Sequence, residues 1–267
     1  TKGEHPTNPE LLDWLATDFV RNGWSLKKLH KLIMLSSTYQ QSSQSRPEAI
    51  GIDPENKLLW RYPRQRLEGE VIRDASLFVA GLLNPEMGGP SVFPDLPGGM
   101  DGHGAWKANT TREDQNRRSI YVFIRRNLRY PMFETFDMPD THESCARRNC
   151  TTGPLQALTM LNDKLTLEWA EAFAERVLQK AGADRNQQIE TAYRIAFGRP
   201  PTDSERSLIG AFFAKQEQTI DELSPVSEEG AVTLNLVLPP SGGQTSAAAL
   251  VDFCHTLLNS NEFVYLN

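Results

Sequence analysis

The strongest constraint on the fold lies between Pro154 and Ile220, where apolar residues recur at helical spacing between explicit start and stop signals. Gly153-Pro154 opens a helix to Leu161. A second, Leu165 to Leu178, carries Leu167, Ala170, Phe173, Ala174 and Val177 on one stripe. A third, Ile189 to Phe197, is stopped by Gly198 and Pro200-Pro201. Thr202-x-x-Glu205 is a capping box, in which hydroxyl and carboxylate satisfy each other's backbone N–H groups, and it opens a helix through Ile220. Such punctuation predicts a mainly α, compact multi-helix domain.

The rest of the chain follows the same rules less densely. Asn8-Pro9-Glu10 supplies a cap, a first-turn proline and an acid that favours the helix dipole. Leu11, Leu12, Leu15, Phe19 and Val20 continue that helix to Gly23, and Ser25 caps a second with Leu26, Leu29, Ile33 and Met34, so the two form a helical hairpin. Ser36 to Ile52 reads as loop, Asp53 to Trp60 as a short helix, and Arg66 to Leu83 as a longer one stopped by Asn84-Pro85. Ser119 to Ile124 is the strand-like run, β-branched and aromatic, with a buried helical segment as its rival. A last helix spans Ser246 to Leu258. Two Gly/Pro-rich excursions, 84–117 and 222–244, interrupt a single domain covering 1–267. The first holds six glycines and three prolines between Gly88 and Gly104.

The 267 residues carry a formal charge of −6, which argues against a general nucleic-acid binder, since neutralising phosphates needs a basic face. No apolar run approaches the roughly 18 residues of a membrane span. Three cysteines in a chain of this size are not a disulfide scaffold. The opening Thr1-Lys2-Gly3-Glu4-His5 reads as the start of a piece of a longer polypeptide.

Five segments carry a resemblance: HPTNPELLDWLATDFVRNGWSLKKLHKLIMLSSTYQQSS, DPENKLLWRYPRQRLEGEVIRDA, RRSIYVFIRRNL, FDMPDTHESCARRNCTTGPLQALTMLN and LLNSNEFVYLN. In this order they resemble the C-terminal domain of unknown function that follows a cytochrome-c domain in large secreted planctomycete proteins. The resemblance implies export to the periplasm or beyond and a c-type haem in an upstream region, with no cofactor in this portion. It also implies upstream domains of the same polypeptide as partners and, by association with neighbouring carbohydrate-binding modules, polysaccharide. It brings no catalytic residues. An accessory or structural domain is the expected function, and a glycan-active enzyme with its cleft in segment 112–152 is the alternative. For an exported protein it further implies a disulfide, Cys145–Cys254 first and Cys145–Cys150 second, because Cys145 and Cys254 fall inside family-like motifs.

Candidate functional residues cluster in the second half of the first excursion and beyond it. Eight arginines stand between Arg112 and Arg148, against six acids in the same interval. This reads first as a salt-bridge network. Read functionally, Arg118, Tyr121 and Arg125 form a basic, aromatic rim suited to an acidic or sulfated sugar. Thr151 and Thr152, ahead of Gly153-Pro154, either cap a helix or open an anion pocket beside Arg147 and Arg148. Arg64, Arg66, Glu68, Glu70, Arg73 and Asp74 read as an ion network at a helix start. His142 beside Cys145 is a conceivable nucleophile pair without an acyl-transfer signature. Asp101, His103 and His142 are weak metal candidates, and no metal is expected. Glu134, Asp137 and Asp140 are the carboxylates placed for glycoside chemistry by location alone.

Overall fold

A computed structural model describes residues 5–97, 100, 106–145, 147–223 and 243–266. Among them the protein is mainly α: twelve helices and a single two-stranded antiparallel pair. The chain divides into two compact units, Thr1–Arg66 with Tyr265–Asn267, and Leu67–Val264.

The first unit is the expected helical hairpin with additions. Helix α1 (Pro9–Arg21) has proline in its first turn, although the Asn8 side chain makes no capping bond. Helix α2 (Leu26–Met34) starts at Ser25, whose hydroxyl accepts from the Lys28 N–H at 3.4 Å. A third helix, α3 (Pro47–Ile52), forms where loop was expected, and the helix expected from Asp53 is instead a set of turns. The reason is Asp53 itself: its carboxylate accepts from the N–H groups of Lys57 and Leu58 (3.0 and 2.7 Å), curling the chain back on itself. Strand β1 (Gln65–Arg66) pairs with β2 (Tyr265–Leu266). Among the described residues, no apolar side chain of this unit is buried; Asp53 and Arg66 alone are.

The second unit is built around α8 (Lys164–Ala181). Trp169, Ala170, Phe173, Ala174 and Val177 are buried on one stripe at steps of one, three and four, which is why this segment is a helix and why it is central. It packs against α4 (Gly69–Ala80), α7 (Pro154–Asn162), α9 (Arg185–Phe197) and α11 (Gln244–Leu258). Ala170 and Ala174 of α8 and Ala249 of α11 are fully buried and small enough for the two helices to pack closely, while Phe253 of α11 meets the rings of Tyr193, Phe212 and Phe213. Helix α10 (Asp203–Leu223) lies on α11. Its capping box forms as expected: Thr202 N donates to Glu205 Oε2 at 2.6 Å, and Thr202 Oγ1 accepts from the Glu205 N–H at 3.3 Å. Arg199 closes this corner by bonding both Glu205 and Glu262 of α12 (Asn261–Val264). That guanidinium, aided by Thr202, holds the Glu205 carboxyl at about 2.

Helix α4 is shorter at both ends than expected. Gly81, in the left-handed conformation, ends it. At its start Gly69 lies so close to α6 (Pro131–Thr135) and its C-cap that a Cβ would stand 2.9 Å from Phe136 Cβ.

Two expectations fail here for physical reasons. Ser119–Ile124 is not a strand: Ser119–Tyr121 is a 3-10 turn following the short α5 (Arg112–Gln115). Val122 alone makes a bridge, parallel to Val92, so Ser119 and Val122 are buried while Ile120, Phe123 and Ile124 are exposed. The strict alternation expected of a strand is therefore lost. The Cys145–Cys254 disulfide is also not formed. None of the three cysteines is in a disulfide: Cys254 lies inside the core of α11, and Cys145 and Cys150 are exposed. Burial pushes the Cys254 thiol well up. Of the two excursions, 98–99, 101–105 and 224–242 lie outside the described residues, and Asp101 and His103 with them.

Candidate functional site

The arginine-rich segment is tied to α4 by bonds between residues far apart in sequence. Arg73, almost fully buried, donates through its guanidinium to the carbonyls of Arg117 and Gln115 and to Ser119 Oγ. Asp74 accepts from the Ser119 N–H at 2.7 Å and pairs with Arg118 at 3.4 Å. Arg117 caps the carbonyls of Glu86, Gly88 and Pro90. Its guanidinium sits 4.1 Å from the centre of the Tyr121 ring, whose hydroxyl accepts from the Gly88 N–H. Arg118 and Tyr121, named above as ligand candidates, are thus engaged in fixing the loop between α4 and α6.

Arg148 is engaged as well. It forms a bidentate pair with Glu70 (2.8 and 2.9 Å) and reaches Glu68 at 3.0 Å. Burial pushes the Glu70 carboxyl up, but the Arg148 bonds, the bond from its own backbone N–H and the Arg148 charge together outweigh it, leaving the carboxyl below its ordinary range; Arg148 is raised in turn. The helix-start ion network expected around Glu68, Glu70 and Asp74 exists; Arg73 pairs with Asp74 at 3.9 Å as part of it, and Arg148 and Arg118 join from outside the helix.

The anion pocket ahead of α7 is filled from within the chain. Asp137 accepts from Thr151 N (2.8 Å), Thr151 Oγ1 and Gln156 Nε2, and Gln156 Oε1 accepts from Gly153 N. The acid that a helix start attracts is already present. Neither Thr151 nor Thr152 is the N-cap of α7: that position is Gly153, and Thr151 bonds Asp137 instead. Around this turn lies an open hollow of about 400 Å³, lined by Glu134, Asp137, Asp140, Glu143, Cys145 and Arg147 among others. Glu134 pairs with Arg129 at 3.2 Å, Asp140 accepts from the His142 N–H, and the Cys145 thiol donates to the Arg147 carbonyl. His142 is exposed beside it. No group of three His, Cys, Asp or Glu residues able to hold a metal exists among the described residues.

A second open hollow, about 560 Å³, has a different character. Among the described residues Phe93, Lys107, Phe123, Ile124, Arg125 and Arg126 line it, three cations and no acid. Of the sequence candidates among the described residues, only Arg125 takes part. Phe93 and Lys107 come from the Gly/Pro-rich excursion, where no periodicity marks them. The signal that could have found them is the pair Val92-Phe93, an apolar step inside a polar loop. His255 of α11 bonds the Met160 carbonyl of α7 through Nε2 at 3.0 Å.

Residues 1–213 match the family PSD1, described as protein of unknown function (DUF1553). No curated protein and no solved structure matches the chain.

Proposed function

We propose that this chain, which belongs to the PSD1 family of proteins of unknown function, is an accessory domain of a larger exported protein. In this reading it docks to neighbouring domains of the same polypeptide, one of them bearing a c-type haem, and brings a polysaccharide or redox partner to them. The observation that carries the reading is the first unit. Its helices α1 and α2 turn Leu11, Leu12, Trp14, Val20, Leu26 and Met34 to solvent, each at least half exposed. No described apolar side chain of that unit is buried. Small units fold marginally even with a core, and contiguous exposed apolar patches mark interaction surfaces. Such a hairpin is best explained as half of an interface. Export and haem rest on the sequence resemblance.

The glycan-active enzyme reading has less behind it. Glycoside hydrolysis needs one carboxylate to give a proton and another to attack or activate water. In the acidic hollow, Asp137 is spent on Thr151 and Gln156, and Glu134 on Arg129.

The test is to purify the polypeptide from its source, record its mass and visible absorption, and install a photo-crosslinking residue at Trp14. A Soret band on a much longer chain, with cross-links to another segment of that same chain, supports the reading. A colourless chain of about this length, cross-linking to nothing, overturns it.

A further inference from the structure

We propose that the hollow lined by Phe93, Lys107, Phe123, Arg125 and Arg126 binds an acidic glycan, an oligosaccharide bearing uronate or sulfate groups. This names the ligand of the accessory role proposed above.

The floor is rigid. Five aromatic rings run from the core to the surface: Phe133 to Tyr130 (4.9 Å between centroids), Tyr130 to Trp106 (6.3 Å), Trp106 to Phe93 (5.2 Å) and Phe93 to Phe123 (4.9 Å). Phe133 is fully buried and Phe123 is 38% exposed, so the series ends in a ring that meets solvent. The backbone holds both outer rings. Phe93 N donates to Asn109 Oδ1 and its carbonyl accepts from Asn109 N, while Phe123 N donates to the Val92 carbonyl at 2.9 Å. The Trp106 indole N–H donates to the Pro94 carbonyl at 2.7 Å. A partly exposed ring on such a support is preorganised, so binding to it orders little that was free.

The rim is cationic. Lys107, Arg125 and Arg126 line the hollow and, among the described residues, no carboxylate does, in a chain whose net charge is −6. Lys107 and Arg126 make no ion pair or side-chain hydrogen bond with any described residue, in contrast to Arg117, Arg118 and Arg148 close by in sequence. A guanidinium fork accepts a carboxylate or sulfate in two parallel bonds. The C–H face of a sugar ring is apolar enough to lie on phenylalanine while its charged substituent reaches the rim.

Size and charge spacing choose the polymer. About 560 Å³ is within the range of ligand sites, and the hollow is open, so a chain can pass through it. A nucleic acid carries a charge on every residue and needs a long basic track, which an acidic chain opposes. Three cations around one ring suit a polymer charged less densely.

The test titrates the full chain with four probes: an oligogalacturonate, a sulfated galactan oligosaccharide, a neutral cello-oligosaccharide and oligo-dT. Binding of one or both acidic sugars, at least tenfold tighter than the neutral one and weakened by salt, is expected; which acid wins separates carboxylate from sulfate recognition. Arg126→Ala and Lys107→Ala should each weaken that binding about fivefold to tenfold with the melting temperature unchanged. Phe123→Ala should weaken it at least as much. Equal binding of neutral and acidic sugars, preference for oligo-dT, no binding to any probe, or full affinity in Arg126→Ala overturns the proposal. Each of these leaves the docking role of α1 and α2 standing, because cross-linking at Trp14 reads that role separately.

Discussion

Replacing Arg148 by alanine separates a ligand arginine from a structural one. Its guanidinium makes two bonds to Glu70 and a third contact to Glu68, with the Arg148 and Glu70 side chains 32% and 24% exposed. Exposed pairs contribute about 0–1 kcal/mol, and removing one partner of a fully buried pair costs about 3–5 kcal/mol. A bidentate, two-thirds-buried pair falls between, so Arg148→Ala should cost about 2 kcal/mol at pH 7. For a unit of this size that lowers the melting temperature by about 4–8 °C. The effect must depend on pH. In the wild type the folded Glu70 carboxyl lies below its unfolded value, so its contribution is present above about pH 4.3 and is lost as pH falls through the folded value. Without Arg148, burial, the largest influence, pushes Glu70 up against only the bond from its own backbone N–H, so the charged form becomes harder to hold at neutral pH. The gap between wild type and variant should therefore be widest near pH 7 and shrink below pH 4. Urea unfolding followed by circular dichroism at both pH values measures it. An unchanged midpoint at pH 7, or a gap that grows in acid, would refute the reasoning.

Other perturbations reach the elements that hold the candidate sites. Gly69→Ala drives a Cβ into Phe136 and should cost about 1–3 kcal/mol in chemical denaturation, more than a glycine-to-alanine change elsewhere in a helix. Glu205 sits at about 2 in the folded protein, so the wild type should lose stability as pH falls from about 4.3 towards 2; Glu205→Gln should flatten that limb and cost about 1 kcal/mol at pH 7. Asp137→Ala strips the partners from Thr151 and Gln156 and should destabilise α7 by about 1–2 kcal/mol, read as faster amide exchange over Pro154–Asn162.

What the sequence disclosed followed from local physics. The helices from Pro154 onward begin and end near their punctuation, because caps, glycines and apolar stripes act within a few residues. The Thr202–Glu205 box is an instance. Legibility failed where partners are distant. Ser119–Ile124 has a strand's composition, yet a lone bridge to Val92 and the bond from Ser119 to Asp74, 45 residues away, bend it into a 3-10 turn. Arg148 looked available because Glu70 is 78 residues away. The Asp53 turn defeated a helix signal because one carboxylate accepting two N–H groups is a local competitor that propensity does not count. The cationic hollow draws Phe93 and Lys107 from a segment with no period to read.

Hydrogen exchange over α1 and α2 tests the accessory-domain account most directly, measured in residues 1–267 alone and in the intact polypeptide from its source. The account predicts rapid exchange at Leu11–Val20 and Leu26–Met34 in the isolated chain. In the intact polypeptide these amides should be protected at least a hundredfold more, because another domain covers Trp14 and its apolar neighbours. Equal exchange in the two preparations would contradict it, leaving the hairpin a free surface and the docking role without foundation.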